Sequence, residues 1–187
     1  MLKANEVFNK LDSFDNQNEY ECCTFKQCDF LGANFSNTKF IECEFEDCNL
    51  SNVLVGGTSF REVRFENCKM LGIQFDTSNQ LLFEASFKNC QLDHSVFFQM
   101  KLKESSFENC QMIEVDFSEA DLSKAQLIGC DLTNTKFDHT NLERADLSGS
   151  VGLTIDPEIN KLSKSKIPFS QLPGLLVKYE IRIDKEN

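Results

Sequence analysis

The side chains able to do chemistry in this chain are nine cysteines, two histidines and 30 carboxylates, and their spacing decides between metal binding, catalysis and packing. Cys23/Cys28 and Cys43/Cys48 are separated by four residues, within the range of thiolate metal sites. Yet Cys28, Cys48 and Cys68 follow at steps of twenty, as do Cys90, Cys110 and Cys130, with a step of 22 between the two sets. His94 and His139 lie off this grid. Cysteine behaves as a small buried hydrophobe, so a packing column explains the spacing better than a metal. An odd number of thiols does not suit a fully paired disulfide framework, and stacked thiols stay reduced in the cytoplasm. No phosphate-binding loop, zinc-protease helix, nucleophile elbow or dinucleotide fingerprint is present. The two histidines have no motif around them and are expected at the surface. The expectation is a non-enzymatic protein with no cofactor and no metal.

A regular backbone must hold those cysteines, and its period can be read directly. Every fifth residue is apolar from Tyr20 through Phe25, Phe30, Phe35 and onward to Phe75. The count slips by two, then resumes at Leu82, Phe87, Leu92 and Phe97 and runs to Leu147. Of the 18 phenylalanines, 13 fall on this grid. A period of five fits neither a helix nor a flat strand. Two residues before most centres stands a small or β-branched residue, such as Ala33, Thr38, Val53, Ala120 or Ala145, and eight of the nine cysteines, all but Cys22, share that position. Positions two apart face one way only in extended chain. Each unit therefore reads as a very short strand ending in a corner, and the corners carry Gly32, Asn37, Asn52, Gly57 and similar turn residues. The slip falls in Asp76, Thr77, Ser78, Asn79, Gln80 and Leu81, a polar stretch that must leave the ladder as a bulge or short loop. It is either a functional projection or a tolerated insertion.

Units such as Ala33-Asn34-Phe35-Ser36-Asn37 and Ala120-Asp121-Leu122-Ser123-Lys124 resemble those of the pentapeptide-repeat family. The resemblance implies an all-β solenoid, a right-handed quadrilateral β-helix with four units per coil. Three regions follow: an N-terminal cap over 1–17, the β-helix over 18–150 with its register break at 76–81, and a C-terminal cap over 151–187. Val7, Phe8, Leu11 and Phe14 have helix-like spacing and are expected to plug the first coil. Beyond Gly152 the repeat is expected to stop. Asp156-Pro157 reads as a helix start, Ser170 with Leu172, Leu175 and Leu176 as a second short helix, and Tyr179, Ile181 and Ile183 as a strand. Thr154 to Asn160 and the Leu-Pro-Gly-Leu-Leu run resemble the closing segment of the Qnr-type quinolone-resistance and microcin-immunity subgroup. That resemblance implies a homodimer through the C-terminal cap.

The net charge is -11, and residues 18–150, with 22 acids against 11 bases, account for all of it. Direct nucleic-acid binding is therefore not expected. No apolar run reaches the length of a membrane span, and Met1 to Lys10 lacks a signal-peptide core, so a cytoplasmic protein is expected. Stacking by twenties, with the slip included, aligns Glu42, Glu62, Glu84 and Glu104 on one corner, with Glu46, Glu66 and Glu108 on an adjacent edge. Like charges at strand spacing oppose folding, so the column reflects either an external demand or a solvated face. The family resemblance implies the first: a DNA mimic that engages a type II topoisomerase, gyrase or topoisomerase IV, and protects it from quinolones or a peptide toxin. Quinolone-resistance relatives carry longer loops than the break at Asp76–Leu81. The competing reading is an interaction scaffold that uses apolar residues outside the inward positions, namely Leu31, Leu71, Phe83, Phe98 and Ile113.

Overall fold

The unit around Phe30 shows how five residues turn one side of a square. Phe30 points inward and is buried. The Asp29 carboxylate accepts a hydrogen bond from the Leu31 N–H at 3.3 Å, Gly32 takes φ +65°, and the Ala33 N–H closes the turn on the Phe30 carbonyl at 2.9 Å. This is a type II turn, whose third residue needs a left-handed backbone. The same carboxylate or amide brace recurs, from Asn34 to the Ser36 N–H and from Asp121 to the Ser123 N–H. It explains the Asp or Asn that precedes so many apolar centres. Between coils the Phe30 N–H bonds to the Asn49 carbonyl at 2.8 Å, and the Asn49 N–H to the Cys28 carbonyl at 2.9 Å.

Repetition of this unit gives a parallel β-solenoid in the computed structural model, which describes residues 1–16 and 19–184. Ten strands stack on two sides of the coil: β1 Leu2–Ala4, β2 Val7–Asn9, β3 Glu19–Glu21, β4 Thr24–Lys26, β5 Lys39–Ile41, β6 Glu44–Glu46, β7 Ser59–Glu66, β8 Phe83–Lys88, β9 Ser106–Glu108 and β10 Gln126–Ile128. Every pairing between them is parallel. The other two sides join through single bridges such as Asn49↔Lys69 and Val96↔Asp116. Six complete four-sided coils run from Tyr20 to Phe137, with partial coils at both ends.

The core is a set of vertical stacks. Phe8, Phe25, Phe45, Phe65, Phe87 and Phe107 lie face on face, with ring centroids 4.7 to 5.3 Å apart. Phe75, Phe97, Phe117 and Phe137 form a second stack. Each ring pair adds about 0.5–1.5 kcal/mol beyond its buried area. The small inward residues have a shared task. The Thr58, Thr135 and Thr140 hydroxyls and the Cys48, Cys68, Cys90 and Cys130 thiols each donate to a buried carbonyl of the preceding coil. All nine cysteines are free thiols. Burial pushes the Cys43 thiol up to about 12, as expected for an inert packing residue.

Both ends differ from the sequence reading. Val7, Phe8, Leu11 and Phe14 form no helix. Residues 1–9 begin the ladder, with Lys3 paired to Tyr20 and Phe8 to Phe25. Val7 and Leu11 face outward, while Phe14 folds under the first full coil with its ring 4.0 Å from that of Phe35. Helix-like spacing misled because an outward strand residue and an inward one can also lie three or four apart. The boundary expected at residues 17 and 18 lies outside the described residues. At the other end the repeat does not stop at Gly152: Lys161 and Lys166 still pair with Asn141 and Asp146. Asp156-Pro157 opens a turn braced by the Asp156 carboxylate on the Glu158 N–H, not a helix. The tail then forms two 3₁₀ segments, Phe169–Leu175 and Val177–Tyr179, and Tyr179, Ile181 and Ile183 are not in a strand.

Candidate functional site

Each side of the coil ends in a corner residue with positive φ, a conformation that costs about 1–2 kcal/mol for a residue with a Cβ and suits Gly and Asn. Gly and Asn are unevenly spread over the corner columns: one carries Asn67, Asn89, Asn109, Gly129 and Gly149 after Lys10, Gln27 and Asp47, another Gly32, Asn52, Gly72 and Asn134 with His94 and Glu114, and a third Asn37 and Gly57 followed by Gln99, Glu119 and His139. The remaining corner follows the side that begins at Tyr20. After Asn5 and Cys22 its left-handed positions are Glu42, Glu62, Glu104, Lys124, Arg144 and Lys164, the longest run of charged residues at such positions. Six charged side chains stand where the backbone asks for glycine or asparagine. This edge is the candidate site.

Three of the four carboxylates expected on one corner, Glu42, Glu62 and Glu104, hold its left-handed positions. Glu84 stands beside them on a corner that has lost a residue, since Phe60↔Phe83 and Val63↔Ala85 leave Arg61 and Glu62 opposite Glu84 alone. The missing residue opens a groove of about 340 Å³ walled by Glu62, Glu84, Lys101, Lys103 and Glu104. Lys124 lies 2.8 Å from Glu104 and holds its carboxyl below the usual range through that hydrogen bond and its charge. Glu42 accepts a long contact from the exposed Cys22 thiol. Glu42, Glu62 and Glu84 have no ion pair among the described residues. The adjacent edge is different: Glu46 pairs with Lys26 at 2.8 Å and Glu66 with Lys88 at 2.7 Å, and Glu108 accepts from the Ser106 hydroxyl. Neighbouring coils therefore neutralise much of the second acidic column, whereas on the corner Glu104 alone of the four carboxylates has an ion pair among the described residues.

The register break is a longer excursion than the sequence suggested. Ser78 is buried and takes the place of Thr58, because the Asn79 N–H bonds to the Thr58 carbonyl as Ser59 bonds to Thr38. Gln80, Leu81 and Leu82 then leave the coil as a 3₁₀ turn capped by the Asn79 side chain. Phe83, 8% exposed, fills the inward position expected for Leu82, which is 45% exposed. Three residues are inserted and one is removed at Glu84, so the net slip of two hid both events. Phe83 therefore leaves the group of outward apolar residues, and its ring meets Phe60 edge-on at 75° where the column above is stacked. Asp76 and Thr77 sit in a 3₁₀ turn at the start of the break, and burial raises the Asp76 carboxyl. Leu81, at 87% exposure, is the tip.

Of the cap residues, Leu175 packs on the core, while Leu172, Leu176, Tyr179, Ile181 and Ile183 are exposed. Gly174 is required by proximity: a Cβ there would clash with the Leu153 carbonyl oxygen. Tyr179 donates to Glu158 at 2.6 Å and Lys178 pairs with Asp156 at 2.7 Å, which ties the tail to the last turn. The sequence reading missed the basic half of the corner column. The signal was available as a run of charged residues, Glu42 to Lys164, at successive corners of one column.

A four-sided parallel β-solenoid with charged outward edges defines a class of repeat protein, and comparison with known proteins supplies the family. The model of the pentapeptide repeat region matches residues 19–97, and the model of eight pentapeptide copies matches 90–127 and 110–149. The chain belongs to the pentapeptide-repeat family. Its fold is similar to that of full-length QnrB1, a plasmid-mediated fluoroquinolone resistance protein, at TM-score 0.53 and 21% identity over 97% of this chain and 100% of that one. Two trypsin-treated QnrB1 variants align at TM-scores 0.63 and 0.59, with 20% and 21% identity, each over 98% of both chains. No curated protein sequence matches the chain.

Proposed function

We propose that this protein is a non-enzymatic binding protein that engages a type II topoisomerase, gyrase or topoisomerase IV, by presenting carboxylates in place of duplex DNA. The observation that carries the reading is the corner column, where Glu42, Glu62 and Glu104 occupy backbone positions that glycine or asparagine would fill at lower conformational cost. Six coils at about 4.8 Å make a rod of roughly 30 Å, and duplex DNA is likewise a rod, with one charge per roughly 1.7 Å of axis. The acid edge is sparser than DNA, so its hold on a basic saddle is sensitive to salt. The fold likeness to a fluoroquinolone resistance protein supports the same direction, and protection of the topoisomerase from such drugs is part of the proposal. The exposed Leu172, Leu176, Tyr179 and Ile181 support pairing of two copies through the C-terminal end.

The second reading is a scaffold for another protein, favoured by Leu31 and Leu54, which are 60% and 58% exposed. Leu71, Phe98 and Ile113 are half-buried and contribute less. A gyrase supercoiling assay across several salt concentrations separates the two. Competition that weakens with salt, and weakens again in Glu62→Lys and Glu84→Lys, supports mimicry. Unchanged supercoiling at every salt concentration refutes it and leaves the scaffold.

A further inference from the structure

The candidate corner changes sign once along the rod. Glu62, Glu84 and Glu104 occupy three successive coils, and Lys124, Arg144 and Lys164 the next three. Three acids followed by three bases at one spacing form a sequence that is its own complement when reversed. The geometry points to an antiparallel, side-by-side pairing of this edge with the same edge of a second copy. The two-fold axis lies midway between Glu104 and Lys124. Glu104 then faces Lys124 of the second copy, Glu84 faces Arg144 and Glu62 faces Lys164, and symmetry repeats each pair.

A further observation favours a second copy as occupant. The register is intrinsic, since both halves are built on one coil spacing and no other protein need share it. Exposed ion pairs are individually weak, so the contact is shallow, electrostatic and labile in salt. It is separate from the C-terminal apolar surface, and a partner that takes the acidic half must first part the two rods.

Zero-length carbodiimide cross-linking of the full chain, read by mass spectrometry of the digested dimer band, tests the pairing without any substitution. Within one copy Glu62 and Lys164 are five coils apart, about 24 Å, so an amide joining them must link two copies. Pairing through the C-terminal end leaves Glu62 just as remote from the second Lys164. The expected result is a Glu62–Lys164 bond at low ionic strength that falls about tenfold once salt shortens the screening length below the pair separations. In Glu62→Lys that dimer is lost, and Glu62→Lys combined with Lys164→Glu restores it with the bond now joining the exchanged residues. Absence of the bond, a yield indifferent to salt, or a double variant that stays unpaired overturns the inference. No topoisomerase enters the experiment, so its failure leaves the proposed function standing and the converse also holds.

Discussion

Replacing two corner carboxylates should make the protein more stable and less functional at once. Glu42 and Glu62 hold left-handed backbone at φ 52° and 54°, and neither has an ion pair to lose among the described residues. Asparagine tolerates this conformation far better than glutamate. If it recovers about half of the 1–2 kcal/mol penalty, Glu42→Asn with Glu62→Asn gains about 1–2 kcal/mol. For a chain of this size that corresponds to roughly 2–8 °C in melting temperature. Two charges also leave an edge that repels itself. Glu104 is excluded because its pair with Lys124 at 2.8 Å would be lost. Thermal unfolding followed by circular dichroism measures the first effect, and the supercoiling assay measures the second. A lower melting temperature would refute the strain argument. A higher one with undiminished gyrase competition would refute the assignment of the edge.

Three further outcomes can be checked by denaturation. Phe87→Ala removes a ring stacked on both Phe65 and Phe107 and should destabilise by about 3–5 kcal/mol; a loss under about 1.5 kcal/mol would mean that the coils collapse to fill the gap. Ser150→Ala leaves the buried Cys130 N–H without its 3.0 Å acceptor and the Leu127 carbonyl without its donor, for an expected loss of about 1–3 kcal/mol, and Ser150→Thr should recover most of it. The Asp146 carboxyl is held down to about 2, first by its hydrogen bond from Lys166 and then by Ser148. A depressed carboxylate stabilises the fold above its unfolded value and loses that contribution as pH falls toward the folded one. Asp146→Asn should therefore show a flatter stability profile between about pH 4 and 2 than the parent, and identical acid limbs would count against the pairing.

The core was legible because the period of five repeats one local rule, and each inward phenylalanine reports the same backbone state as the next. Phe25, Phe45 and Phe65 needed no tertiary information to be placed. The break was less legible because two events of opposite sign partly cancel. An insertion at Gln80–Leu82 and a deletion at Glu84 leave a net slip of two, and with Leu82 and Phe83 adjacent and both apolar, spacing cannot choose between them. The ends failed for a different reason: Val7 and Leu11 satisfy a helical pattern in a segment whose state is decided by the coil stacked on it. Glu42, Glu62 and Glu104 group by their shared charge, while Lys124, Arg144 and Lys164 on the same corner carry the opposite sign and do not group with them by composition. The left-handed backbone of all six, shared by Glu114 and Glu119 on other corners, is set by the turn and not by charge.

Parallel stacking with a constant step makes the molecule a ruler graduated in coils. Duplicating one complete four-unit segment such as residues 102–121 should lengthen the rod by one graduation, about 4.8 Å, while both terminal covers keep their own seats. Length thus becomes an adjustable quantity, separable from the ends and from the markings along each edge.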